Sequence, residues 1–146
     1  MSEDQHNQDR DDTLAEAVRA VAHRLRRISV ESLARWEVTP AQSRALRVVT
    51  RHGAIRLTEL SEHLHIAPRS VTEVVDVLET KELVERRPDP QDRRATLVAV
   101  TEYGVELGKA IRSAQDAETE RLFDRLSPTD RNHLARILRK LRAEPQ

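Results

Sequence analysis

Two arginine pairs, Arg86-Arg87 and Arg93-Arg94, bracket the segment Pro88-Asp89-Pro90-Gln91-Asp92. A guanidinium is planar, permanently charged and able to donate two parallel hydrogen bonds. It therefore suits phosphate oxygens, the edge of guanine, and the negative potential of a narrow minor groove. Upstream, Arg69, Ser70, Thr72, Glu73 and Asp76 fall on the side of a predicted helix that its apolar stripe leaves free. The first three can donate to phosphates or base edges. Glu73 can pair with Arg69 or accept from a cytosine amino group. Serine, histidine and acids are present, but no nucleophile elbow, phosphate-cradling glycine loop or HExxH motif accompanies them, so catalysis is not expected. His63-Leu64-His65 is a poor metal motif, because histidines two apart on a helix end face different ways; these, with His23, His52 and His133, read as surface or capping residues. No metal and no cofactor is expected.

Groove chemistry needs a scaffold, and the residues from Leu57 to Thr101 supply one. Leu60 and Leu64 share a face of a first short helix. Val71, Val74, Val75 and Leu78 follow the i, i+3, i+4, i+7 spacing of a buried stripe in a second. Pro68 suits the first turn of that helix, and the few residues between the two make them cross steeply. Leu83 to Arg87 and Ala95 to Val100 then read as the arms of a hairpin whose tip carries Arg93 and Arg94. A helix-turn-helix followed by such a hairpin is a winged helix, built to place a helix in a major groove and a wing in a minor one.

Composition narrows the rest. At 146 residues, 34% charged and 2% aromatic, the chain fits one mainly α-helical domain with an aliphatic core. Cysteine is absent, which excludes disulfides, thiolate metal sites and thiol-based oxidant sensing. No apolar run approaches the ~20 residues that cross a bilayer, and the polar N-terminus is no secretory signal, so a cytoplasmic location is expected. The formal net charge of +0 is uneven: Glu3, Asp4, Asp9, Asp11 and Asp12 against Arg10 make residues 1–12 a flexible acidic tail of −4, leaving +4 for residues 13–146. A focused basic edge follows, with little non-specific affinity.

The flanking segments look like dimerisation helices. Leu14, Val18, Val21, Leu25 and Ile28 alternate steps of four and three in a helix expected over 13–36. Thr39-Pro40 opens the next helix with a capping box, Gly53 closes it, Arg56-Leu57 reads as a short strand, and Thr58 as the following cap. Thr101 caps a helix from Glu102 to about Leu126, with Gly104 and Gly108 allowing close approach. Ser127-Pro128 starts the last helix, whose Leu134, Ile137, Leu138 and Leu141 form another stripe, and Pro145 ends it. Terminal stripes on both sides of a reading head are best buried in a two-fold homodimer, which also presents two heads. Trp36, Arg44 and Arg47 would combine charge with an apolar wall and are the candidates for binding a small anionic or aromatic effector. Trp36 reads slightly better as core filling near the dimer seam.

Leu60-Ser61-Glu62-His63-Leu64, Ser70-Val71-Thr72, Leu78-Glu79, the block Leu83 to Arg94, and Val100-Thr101 with Gly104 together resemble the MarR family of bacterial transcription regulators. The wing block, with Asp92 and Arg94 as its Asp-x-Arg, is the specific part; the likeness spans about residues 13–142. It implies a mainly α winged helix with the reading head at 40–101 and dimerisation helices at 13–36 and 102–142. It further implies a homodimer on double-stranded DNA, with Arg94 as the wing arginine and Asp92 the acid that steadies it. Two positions depart from the pattern: His65, where relatives often have glycine and a left-handed turn is expected, and Glu73, where they often have a base. Three function classes stand at this point: a ligand-released transcription regulator, most simply a repressor; a winged-helix protein-interaction module; and an enzyme using the fold to dimerise. A protected DNA segment with two-fold symmetry separates the first two, and the third lacks a catalytic segment.

Overall fold

The structure, a computed structural model, describes residues 13–144; the acidic tail at 1–12 and Pro145 lie outside them. Helix α1 runs Leu14–Leu33 and is followed by a 3-10 turn, Ala34–Trp36. Helix α2 is Pro40–His52, strand β1 Ala54–Arg56, helix α3 Leu57–Leu64 and helix α4 Pro68–Thr80. Strands β2 (Val84–Pro88) and β3 (Thr96–Val100) precede helices α5 (Glu102–Phe123) and α6 (Pro128–Arg142). Among the described residues no helix is long and apolar enough to cross a membrane.

Local chemistry explains most boundaries. Thr13 and Thr39 each close a reciprocal capping box, with Glu16 and Gln42. Thr101 and Ser127 accept from the amides of Gly104 and Asp130. Gly53 ends α2 at φ 74°. His65 ends α3 at φ 53°, as its place in the turn requires. Boundaries differ from expectation at four places, two of them the end of α5, at Phe123 and not about Leu126, and β1, at Ala54–Arg56 and not Arg56-Leu57. The first helix stops at Leu33, because Glu37 takes a left-handed conformation after a tightened last turn. The cap of α3 is Arg56, not Thr58: the backbone leaves β1 directly into the helix, and no side chain bonds that end.

The three strands form one antiparallel sheet in the order β1-β3-β2. Ile55 pairs with Val98, and Val98 with Arg86, so the short β1 anchors the wing's central strand to the head. Leu46, Val49, Ile55, Leu60, Val71, Val75, Leu78, Leu83 and Val98 make a continuous, fully enclosed aliphatic core. Each such side chain contributes roughly 1.5–3 kcal/mol relative to exposure. Gly104 is required by packing: a Cβ there would sit 2.1 Å from the Leu83 carbonyl oxygen. Gly108 faces open space instead, contrary to the close approach expected of it.

The outer helices contrast with this core. Leu33 is the only buried residue of α1, and α6 has none. Leu14 is 87% exposed, Val18 54%, Ile137 45% and Leu141 70%. Their apolar stripes are left without cover by the single chain.

Candidate nucleic-acid interface

Helix α4 buries Val71, Val75 and Leu78 and turns Arg69, Ser70, Thr72 and Glu73 outward, all exposed. Its approach is set by the preceding turn. The Ser61 hydroxyl, nearly buried, donates to the Ile66 carbonyl at 2.7 Å and closes the chain between α3 and α4. Thr72 donates to the Pro68 carbonyl at 3.1 Å, which leaves its oxygen free to accept. Arg69 and Glu73 do not form the ion pair their i, i+4 spacing allows. An exposed pair gains too little to hold two flexible side chains together. Both remain available to a ligand.

The wing tip is ordered by two aspartates. Asp92 accepts from the Arg94 amide at 3.0 Å, and its carbonyl accepts from Ala95 at 3.0 Å. Asp92 therefore steadies Arg94 through its backbone, as an Asx turn. Asp89, nearly buried, accepts from the Gln91 amide at 2.9 Å and from Arg56 Nε at 2.7 Å. Its own amide donates to Ala95 across the loop. With both tip arginines exposed at this clamped turn, two cations project from a fixed base.

The Gln91 amide, opposed by burial and joined by the Arg56 guanidinium, holds the Asp89 carboxyl below the usual carboxylate range. A carboxylate with a depressed folded pKa stabilises the fold above its unfolded value, near 3.8, and loses that contribution as pH falls through the lower, folded value. The wing should consequently loosen only in strong acid, below about pH 4. At neutral pH Asp89→Ala removes both the Gln91 acceptor and the Arg56 partner while leaving the helical core intact. It should weaken DNA binding by roughly five-fold, the low end for one lost groove contact. Amide exchange at Gln91 and Arg94 should quicken in the variant; unchanged exchange and affinity would show that Asp89 does not hold the tip.

Arg86 and Arg87 have different surroundings from the tip pair. Arg86 is half-buried, with Nη1 2.8 Å from Glu79 and Nη2 2.6 Å from Asp76, and its amide donates to Glu79 at 2.9 Å. It thus ties β2 to α4 and has no free fork for a phosphate. Arg87 is exposed and paired with Glu85 on its own strand. Sequence reasoning missed the supporting roles of Arg56, Ser61, Glu79 and the Asp89 clamp, and read Asp76 only as part of the outward face of α4. Pro88-Asp89-Pro90 was the available signal, since prolines on both sides leave one amide and one carboxylate in a fixed frame.

Within the single chain the three effector candidates do not meet in one cavity. Arg44 caps the C-terminus of α3 through the Leu64 carbonyl at 3.1 Å. Trp36 lies under the Arg35 guanidinium, 5.0 Å away, and borders a cleft of about 220 Å³ with Lys81, Tyr103 and Leu107. Arg47 alone lines a separate cavity of about 130 Å³ between α2 and α5. There Leu46 and Ile111 form an apolar floor, and Lys109 and Arg112 add positive charge. The last two were not legible because only the fold brings α5 against α2.

The family model for the MarR family matches residues 38–96, which span α2 through the start of β3. The chain is 27% identical over 86% of its length to the transcriptional repressor MdtR of Bacillus subtilis, covering 81% of that protein. It is 30% identical over 71% of its length to the regulator MhqR of the same organism, covering 72% of it. The crystal structure of Bacillus subtilis YusO superposes with a TM-score of 0.80 at 27% identity, over 94% of this chain and 95% of that one. With the winged helix, the outward polar face of α4 and the clamped arginine tip, these matches place the chain in the MarR family, as a DNA-binding transcription regulator and not an enzyme.

Proposed function

We propose that the protein is a homodimeric repressor that reads a pseudo-palindromic operator and is released by a small anionic or aromatic effector. The observation that carries this reading is one chain's combination of an exposed polar helix, a hydrogen-bonded arginine tip and uncovered apolar stripes on α1 and α6. Arg69, Ser70, Thr72 and Glu73 would meet a major groove, and Arg93 and Arg94 the adjacent minor groove. Arg87 would reach a phosphate by exchanging Glu85 for it. Arg86 is assigned to positioning, since its fork is already occupied. Asp92 acts through the Arg94 backbone.

The repressor assignment is supported by the name of the MdtR relative. For the effector, the α2–α5 cavity with Arg47, Lys109 and Arg112 over Leu46 and Ile111 fits an anion with an apolar body better than the Trp36 cleft does. Such a ligand lowers DNA affinity only if it favours a spacing of the two heads unlike the ~34–36 Å between successive major grooves.

Footprinting on bound genomic fragments tests the reading. Two protected half-sites related by a two-fold axis, one helical turn apart, are expected. With roughly six neutralised phosphates, the log–log salt slope of affinity should lie near −5. An unsymmetric footprint, or affinity insensitive to salt, would refute the dimeric operator reading.

A further inference from the structure

The fold brings together two histidines from different helices that sequence spacing keeps eleven positions apart. His52, the last residue of α2, and His63, in the last turn of α3, have ring centres 4.9 Å apart with planes tilted by 58°. Both are exposed, so an ion has an open path to them. Two imidazoles on one tetrahedral ion, with metal–nitrogen bonds of about 2.0–2.1 Å, also have ring centres about 5 Å apart.

A second observation concerns the tautomer. His52 Nδ1 lies 2.9 Å from the Val48 carbonyl oxygen. A carbonyl only accepts, so Nδ1 donates to it, and Nε2 is the ring nitrogen left free of that bond. A backbone carbonyl behind the far ring nitrogen is the support that metal-bound histidines commonly have.

We propose that His52 and His63 form a two-imidazole site for a borderline-soft divalent cation, Zn²⁺ or a neighbour in the series such as Ni²⁺ or Cu²⁺. Among the described residues no group of three or more histidine and carboxylate side chains could hold a metal. Water therefore completes the coordination shell, and the ion exchanges readily. Occupancy ties the C-terminal turn of α2 to that of α3, the helix before the reading helix. It stabilises the folded head by mass action, because the unfolded chain lacks the paired geometry.

The test uses the untagged full-length chain in a non-chelating buffer, titrated with ZnCl₂ by calorimetry and thermal melting. One ion per chain should bind at micromolar zinc and raise Tm. His52→Ala and His63→Ala should each weaken it by at least about ten-fold, since loss of a ligand costs no less than loss of its outer support. His65→Ala and His133→Ala should bind as the parent does. Unaltered zinc affinity in His52→Ala or His63→Ala, or no saturable binding by the parent, would overturn the site and leave the two rings a surface contact.

Discussion

A chain carrying Val18→Glu and Leu141→Glu should sediment as a monomer at micromolar concentration and lose operator affinity by about 10²–10⁴-fold, the range set by tethering a second head. Both positions are more than half exposed in the single chain, at 54% and 70%. Their replacement therefore removes little from one protomer's own fold. The cost falls on whatever covers them. Two glutamates carried into an apolar seam lack partners there, and a buried unpaired charge is far more expensive than a lost methyl. Sedimentation and a DNA titration at one salt concentration read both effects. A variant that stays dimeric and keeps its affinity would place the interface elsewhere than α1 and α6. Head integrity is checked separately by the melting of the core around Leu46, Leu60 and Val75, which neither substitution touches.

Much of this architecture was legible because local rules and tertiary packing agree. Thr39-Pro40 and Ser127-Pro128 announce their helices, and the chain takes both starts as written. The turn at His65 demanded a left-handed residue, and histidine adopts it. Thr58 misled because a capping residue signals a start without fixing its register, and pairing of β1 with β3 drew the backbone into α3 earlier. The site was legible in its outward residues and illegible in its supports. Arg56 and Asp89 stand 33 positions apart, and no periodicity links them. Arg86 looked like Arg93 as a residue type, yet its neighbours Asp76 and Glu79 come from another element. Charge in a sequence names a chemistry; only the fold says whether that charge is already spoken for.

That distinction sets the second expectation. Arg94→Ala should weaken operator binding by about 1–3 kcal/mol, roughly 5- to 150-fold, with little change in Tm. Its side chain projects from a turn fixed by the Asp92 carboxylate and the Asp92–Ala95 backbone bond, neither of which needs the guanidinium. The tip should keep its shape and lose only its reach into the groove. Arg86→Ala should behave differently. It removes the cation shared by Asp76 and Glu79 and leaves only the amide of residue 86 holding Glu79, so β2 is tied less firmly to α4 and Tm falls together with affinity. The salt slope separates the two mechanisms further: losing a direct backbone or groove cation makes the slope shallower by about one, whereas losing a support leaves the count of neutralised phosphates to the surviving bases. Binding of Arg94→Ala equal to the parent's at fixed salt would show that the wing tip does not contact DNA. An Arg86→Ala variant with unchanged Tm and a shallower slope would move the contact one strand back, from the tip to the wing's base.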